Sequence, residues 1–244
     1  MYLVGVLLEI FKTMMNDCEV KCCVQCENRW VNFNNLTEEE LNIICENRHV
    51  TNFKPGEMIF KQGSPISSAV FLIKGMAKMY IEGFDNKRMI IGIAKQNRLI
   101  AGPGTFVDNR HHYTVTAIDD VTACFIKMDV LKDMVHRNSK FAEGWLKDNS
   151  EKSLVTFYRF LNHTQKKMHG RLAETLLYLA DQIHGSDEFV MMLSRQELGE
   201  LSGMAKESVV RILKEFNQDK IINDKCPHIK ILDKEKLKMI SNMG

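Results

Sequence analysis

A short stretch near the C-terminus restricts this chain more than any other. Leu193-Ser194-Arg195-Gln196-Glu197-Leu198-Gly199-Glu200-Leu201-Ser202-Gly203 runs into Met204-Ala205-Lys206-Glu207-Ser208-Val209-Val210-Arg211-Ile212-Leu213. Ser194 can cap a helix whose Leu198 and Leu201 face inward, Gly203 supplies a tight turn, and a second helix follows from Lys206 to Phe216. On that helix Val209, Ile212, Leu213 and Phe216 repeat at core spacing. Two short helices joined by a glycine turn form a helix-turn-helix, whose second helix enters the DNA major groove.

Lys206, Glu207, Ser208, Val210 and Arg211 fall outside the apolar stripe and form the candidate reading face. Arg can donate in bidentate fashion to guanine, and Glu can accept from cytosine N4 or orient the Arg. Ser194, Arg195 and Gln196 open the first helix, where they can engage phosphates. The alternative is a solvated helix surface with a Glu207–Arg211 i,i+4 pair. Cap, glycine turn and basic second helix together favour DNA.

Bulk charge does not decide the matter. The 244 residues carry 33 Lys and Arg against 31 Asp and Glu, a formal net charge of +2, and phosphate binding needs a local basic face more than a basic average. A 45% hydrophobic content over this length allows two modest cores. The apolar stretch Tyr2–Phe11 contains Glu9 and lacks a basic leader, so it does not read as a signal peptide. No other segment approaches the roughly 20 apolar residues that span a bilayer. A cytoplasmic protein without a membrane partner is expected, and Met14 and Met15 offer alternative start positions.

Upstream, Thr37 caps a short helix whose first turn holds Glu38, Glu39 and Glu40. From about Thr51 to Met128, short apolar runs such as Val70-Phe71-Leu72-Ile73 alternate with Gly, Pro, Asp and Asn turns, the pattern of a small antiparallel barrel or sandwich. Asn138-Ser139 then starts a long helix. Phe141, Trp145, Leu154, Phe157, Tyr158 and Leu161 lie largely on one side of it, more apolar surface than one small barrel can cover, so a homodimer through this helix is expected.

These motifs resemble the CRP/FNR family of bacterial regulators over about residues 36 to 235. The resemblance is most specific at Ser194-Arg195-Gln196-Glu197-Leu198-Gly199 and at Glu207-Ser208-Val209-Val210-Arg211-Ile212-Leu213. It implies an α+β chain: an antiparallel β-roll like that of cyclic-nucleotide-binding proteins, a long dimerisation helix and a C-terminal winged helix-turn-helix. The expected divisions are a cysteine-rich segment (1–35), a sensor β-roll (36–137), the dimerisation helix (138–167) and the DNA-binding unit (168–244). The wing would run from Ile221-Ile222 through a turn at Asp224-Lys225 into Ile229-Lys230-Ile231. The resemblance further implies base contacts by Glu207 and Arg211, a nearly palindromic double-stranded operator and RNA polymerase as a partner.

For the sensor, the family's cyclic nucleotide site uses a Gly-Glu pair and a phosphate-binding Arg. Here the corresponding segment reads Ala101-Gly102-Pro103-Gly104-Thr105-Phe106, His111 falls at the Arg position, and Arg110 is one residue off. Cyclic AMP is therefore not expected. FNR-type members hold an iron–sulfur cluster with N-terminal cysteines plus one from the barrel. Cys18, Cys22, Cys23 and Cys26 crowd together here, and Cys124 falls where the barrel cysteine belongs, while the next N-terminal ligand position is Asn32. An iron–sulfur centre, zinc, a thiol switch or no ligand all remain open. Cys45 and Cys226 read as ordinary small residues. His111 and His112 are candidate haem ligands, with solvated loop histidines the plainer reading.

The expected activity is thus DNA-binding regulation under a redox, oxygen or nitric oxide signal. A module whose C-terminal helices dock a protein is the rival, as are a haem sensor of the same fold and a redox enzyme. No Ser-His-Asp, Walker or zincin pattern supports an enzyme.

Overall fold

The computed structural model describes residues 23–26 and 29–244. Cys18 and Cys22 lie outside the described residues. Helix α1 (Glu38–Glu46) begins at a complete capping box, in which Thr37 accepts from the Glu40 amide and Glu40 reaches back to the Thr37 amide.

Eight strands follow: β1 (Arg48–Phe53), β2 (Met58–Phe60), β3 (Ser68–Lys74), β4 (Ala77–Glu82), β5 (Arg88–Ala94), β6 (Arg98–Ile100), β7 (Thr114–Ala117) and β8 (Val121–Lys127). They form two four-stranded antiparallel sheets, ordered β1-β8-β3-β6 and β2-β7-β4-β5. The continuous apolar run of β3 reflects burial on both faces. Val70 and Leu72 point between the sheets, where they meet Ile59, Ile100, Val115 and Ala123. Ala69 and Phe71 face the opposite way, against a second core built with α1 and the helices after β8. Alternation along the strand thus serves two cores with one sequence.

Those helices are α2 (Met128–Arg137) and α3 (Ser139–Gln165), with Asn138 capping α3 through the Phe141 amide. The first turns of α3 correct one expectation. Phe141 and Trp145 are not available to a partner: they are buried in the second core, edge-on to Trp30 at 5.8 and 5.7 Å. Asn32 joins them, its amide donating to the Phe141 carbonyl at 2.9 Å and accepting from Asn35. A Cβ at Gly144 would collide with that Asn32 side chain, so glycine is required for the close approach. Leu154, Phe157, Tyr158 and Leu161, farther along α3, remain exposed.

Helix α4 (Met168–Tyr178) ends in a π-helical turn (Leu179–His184) closed by Gly185 in the left-handed conformation. Then come β9 (Glu188–Val190), α5 (Arg195–Ser202), α6 (Lys206–Gln218), β10 (Ile222–Lys225), β11 (His228–Ile231) and α7 (Lys234–Met243). Strands β10, β11 and β9 form a three-stranded wing sheet. Asp224 and Lys225 belong to strand β10, not to the turn expected there, which lies at Cys226-Pro227 because pairing continues to Lys225↔His228. The core of this unit includes Leu172, Leu198, Ile212 and Phe216, and also Tyr80, Ile90 and Ile93 from β4 and β5. The β-roll and the C-terminal helices therefore share one apolar cluster. Among the described residues, no helix is long and apolar enough to cross a membrane.

Candidate nucleic-acid interface and sensor site

The geometry of the interface starts at Ser194. Its hydroxyl accepts from the Glu197 amide at 3.2 Å, and Glu197 returns a carboxylate oxygen to the Ser194 amide at 2.8 Å. The reciprocal cap fixes the start of α5, and Gly203 ends it at φ 66°, where a side chain would be strained. Gly203 also leaves room for His163 of α3, whose ring would clash with a Cβ there. Arg171 of α4 donates to the Gly203 carbonyl at 3.0 Å. The turn is thus held from two neighbouring helices.

Helix α6 buries Val209, Ile212, Leu213 and Phe216 and exposes Lys206, Glu207, Val210 and Arg211, with Ser208 half-buried. Lys214, one turn beyond Val210, is exposed on the same side and was not singled out by motif reasoning; its i, i+4, i+8 relation to Lys206 and Val210 carries the signal. Arg211 does not pair with Glu207. It pairs with Glu215 at 2.6 Å, and Glu215 in turn meets His169 at 2.7 Å. These two neighbours hold the Glu215 carboxyl below its ordinary range, His169 first. Glu207 is left without that partner beside the exposed Arg211.

Of the three residues expected at phosphates, Ser194 and Gln196 are exposed. Gln196 donates to Glu200 at 3.3 Å. Arg195 is committed elsewhere, with one nitrogen donating to both carboxylate oxygens of Asp224 on the wing at 2.7 and 2.8 Å.

In the sensor, His111 is not a solvated loop residue. It is buried and stacked on Phe60, ring centroids 3.8 Å apart, and burial holds its imidazole below the ordinary value. Arg110 turns away and donates to the Gly63 carbonyl at 2.8 Å. His112 diverges from His111 to pair with Asp108 at 3.1 Å.

The cysteines gather around a residue that sequence reasoning passed over. Arg48, at the start of β1, directs one terminal nitrogen to Cys124 Sγ at 4.0 Å and the other to Cys45 Sγ at 3.9 Å. Burial works to lower the Arg48 pKa, but Cys124, Cys23 and Cys45 raise it overall. Burial pushes the Cys124 thiol up, opposed by Arg48 and reinforced by Cys26 and Cys45. Cys45, read as an ordinary small residue, therefore joins Cys23, Cys26 and Cys124. Asn32, the expected ligand position, is a packing residue instead. A guanidinium bridges two of the sulfurs, and among the described residues, which leave out Cys18 and Cys22, no group of three or more ligating side chains is placed to hold a metal ion.

Comparison with known proteins decides the family. The model of the Crp-like helix-turn-helix domain matches residues 170–240, and that of the cyclic nucleotide-binding domain matches residues 50–138. The chain belongs to the CRP/FNR family. The cAMP-activated global transcriptional regulator CRP of Salmonella typhimurium is 26% identical over 198 residues, 77% of this chain and 91% of that protein. Electron transport regulator A of Shewanella oneidensis is 23% identical over 190 residues, 76% of each chain. Among solved structures, FixK2 of Bradyrhizobium japonicum superposes with a TM-score of 0.72 at 17% identity, covering 79% of this chain and 96% of its own. A regulator of the crp/fnr family from Eubacterium rectale gives 0.74 at 17%, covering 88% and 100%. This CRP/FNR protein is a DNA-binding transcription regulator built as a cyclic-nucleotide-binding β-roll with a C-terminal helix-turn-helix. That family is one of transcriptional regulators, not of enzymes.

Proposed function

We propose that this CRP/FNR regulator reads a nearly palindromic operator as a homodimer, with base contacts from Glu207 and Arg211, phosphate contacts from Ser194, Gln196 and Lys206, and RNA polymerase as its partner on the promoter. The observation that carries the reading is the division of α6 into a buried apolar stripe and an exposed face holding Lys206, Glu207, Val210 and Arg211. Two such helices in a dimer meet successive major grooves one turn apart. Dimerisation rests on the exposed Leu154, Phe157 and Leu161, which recur at heptad spacing on α3. The test is selection of a binding site from random duplex DNA, followed by affinity measurement over a range of salt. Steep salt dependence on a selected, two-fold symmetric site supports the reading, and a flat response on every duplex refutes it.

The signal we propose is redox, received at the thiols around Arg48 and not at a cyclic nucleotide. Four cysteines converge there; burial holds the Cys124 thiol above its ordinary pKa, and the Arg48 guanidinium offsets part of that rise. Against a cyclic phosphate stand the buried, stacked His111 and the diverted Arg110. Operator affinity of the protein reduced with dithiothreitol and then treated with hydrogen peroxide, alongside the Cys124→Ser and Cys45→Ser variants, tests this. An identical response to peroxide in both variants removes Cys124 and Cys45, the two thiols that Arg48 contacts, from the mechanism.

A further inference from the structure

Where α3 ends and the DNA-reading unit begins, the surface forms a partly open cavity of about 380 Å³. Tyr158, Arg159 and His163 line it from α3, Arg171 and Tyr178 from α4, and Ser202 from the last turn of α5. Two guanidinium groups therefore face one small space. Arg159 lies over the Tyr178 ring at 4.4 Å and donates to the Ile91 carbonyl of β5. Arg171 donates to the Gly203 carbonyl. Among the described residues, neither meets a carboxylate within 4.0 Å. Glu174, the acid on the same wall, is already engaged by Lys166 at 3.1 Å and by Ser241 at 2.6 Å. The buried Arg171 Nε and His163 Nδ1 have no hydrogen-bond partner. Both guanidinia add to the effect of burial in lowering the His163 pKa, against an opposing contribution from the Ser202 backbone.

Half-buried cations without counter-ions are costly unless something neutralises them. Two guanidinia call for two negative charges, and their donor forks match tetrahedral oxygens. The rings of Tyr158 and Tyr178 offer apolar walls to an organic group. We propose that this cavity binds a small phosphate monoester, held between Arg159 and Arg171, as a second input to the DNA-binding unit. The site is outside the β-roll and owes nothing to the thiols. Its wall, Leu201-Ser202, leads directly into the Gly203 turn, and Arg171 holds that turn, so occupancy redistributes a contact on which the pose of α5 and α6 depends. Phosphate oxygens also occur along DNA, and the two sources are separable because binding of the monoester is measured without DNA.

The test titrates the full-length reduced protein with phenyl phosphate and with inorganic phosphate, against chloride at matched ionic strength. Thermal stability and the His163 imidazole resonances are followed. Saturable stabilisation by phenyl phosphate with movement of the His163 signals is expected. R159Q and R171Q should each weaken binding at least about tenfold, and R159K, which keeps the charge but loses the donor fork, should fall between the unaltered protein and R159Q. Operator affinity should shift by about fivefold on saturation. Absence of saturable binding by the unaltered protein overturns the proposal, whatever the variants do, and this includes the case in which the partner helix of a dimer fills the cavity. Equal binding by the unaltered protein and both Gln variants overturns it too. If both Gln variants instead lose DNA affinity and salt dependence with no probe present, the two arginines belong to the DNA track and the proposal falls.

Discussion

Arg211 and Arg195 carry the same group to opposite ends. Arg211 is half exposed and, among the described residues, tethered to Glu215 on its own helix, a link that can be exchanged for a base edge. Replacing it with alanine should cost about 1–3 kcal/mol at the selected operator and much less on unrelated duplex. Competition binding on the two DNAs checks this. Arg195 is withheld from phosphate by Asp224 on the wing. Asp224→Asn should release it, raising affinity at low salt and steepening the salt slope by about one counter-ion; an unchanged slope would show that Arg195 points away from the backbone. The Ser194 cap was legible in the sequence because it closes within one turn. The Arg195–Asp224 pair spans 29 residues, and the Arg48–Cys124 contact spans 76, so no local pattern announced either.

Helix α3 shows the same division at the scale of an element. The run without Pro or Gly after Trp145 announced a long helix, and its apolar residues announced burial. Which residues bury internally depended on Trp30 and Phe33, more than a hundred positions earlier, and was not legible. Trp145→Ala should therefore lower stability by about 3–5 kcal/mol and leave the oligomeric state unchanged. The double change Phe157→Asp with Leu161→Asp should do the reverse, giving a folded monomer with operator affinity at least about tenfold weaker. Denaturant unfolding and sedimentation separate the two outcomes. The helix-turn-helix, by contrast, was readable almost residue for residue, since its cap, turn and stripe are all local. The sensor was readable only as strands, because what a β-roll encloses is set by residues brought together from distant strands.

Across the whole molecule, three imidazoles are held below their ordinary value of 6.5, chiefly by burial: His111 in the β-roll, His163 against the Gly203 turn and His184 on Phe189. The unfolded chain binds these protons more readily than the folded one. Their contribution to stability is complete above the unfolded value and is lost as pH falls through the folded values. The melting temperature should accordingly decline from about pH 7 toward about pH 5, and His184→Phe should make that decline shallower.

The carboxylate of Glu197 has a consequence at this scale as well. One oxygen closes the cap of α5 on the Ser194 amide, and the other meets Lys78 of β4, on the sensor. Swinging the reading head away from the sheet would forfeit only the second of these bonds. Its leading helix would travel intact, like a key turned on its own shaft, so reorientation need not begin with melting.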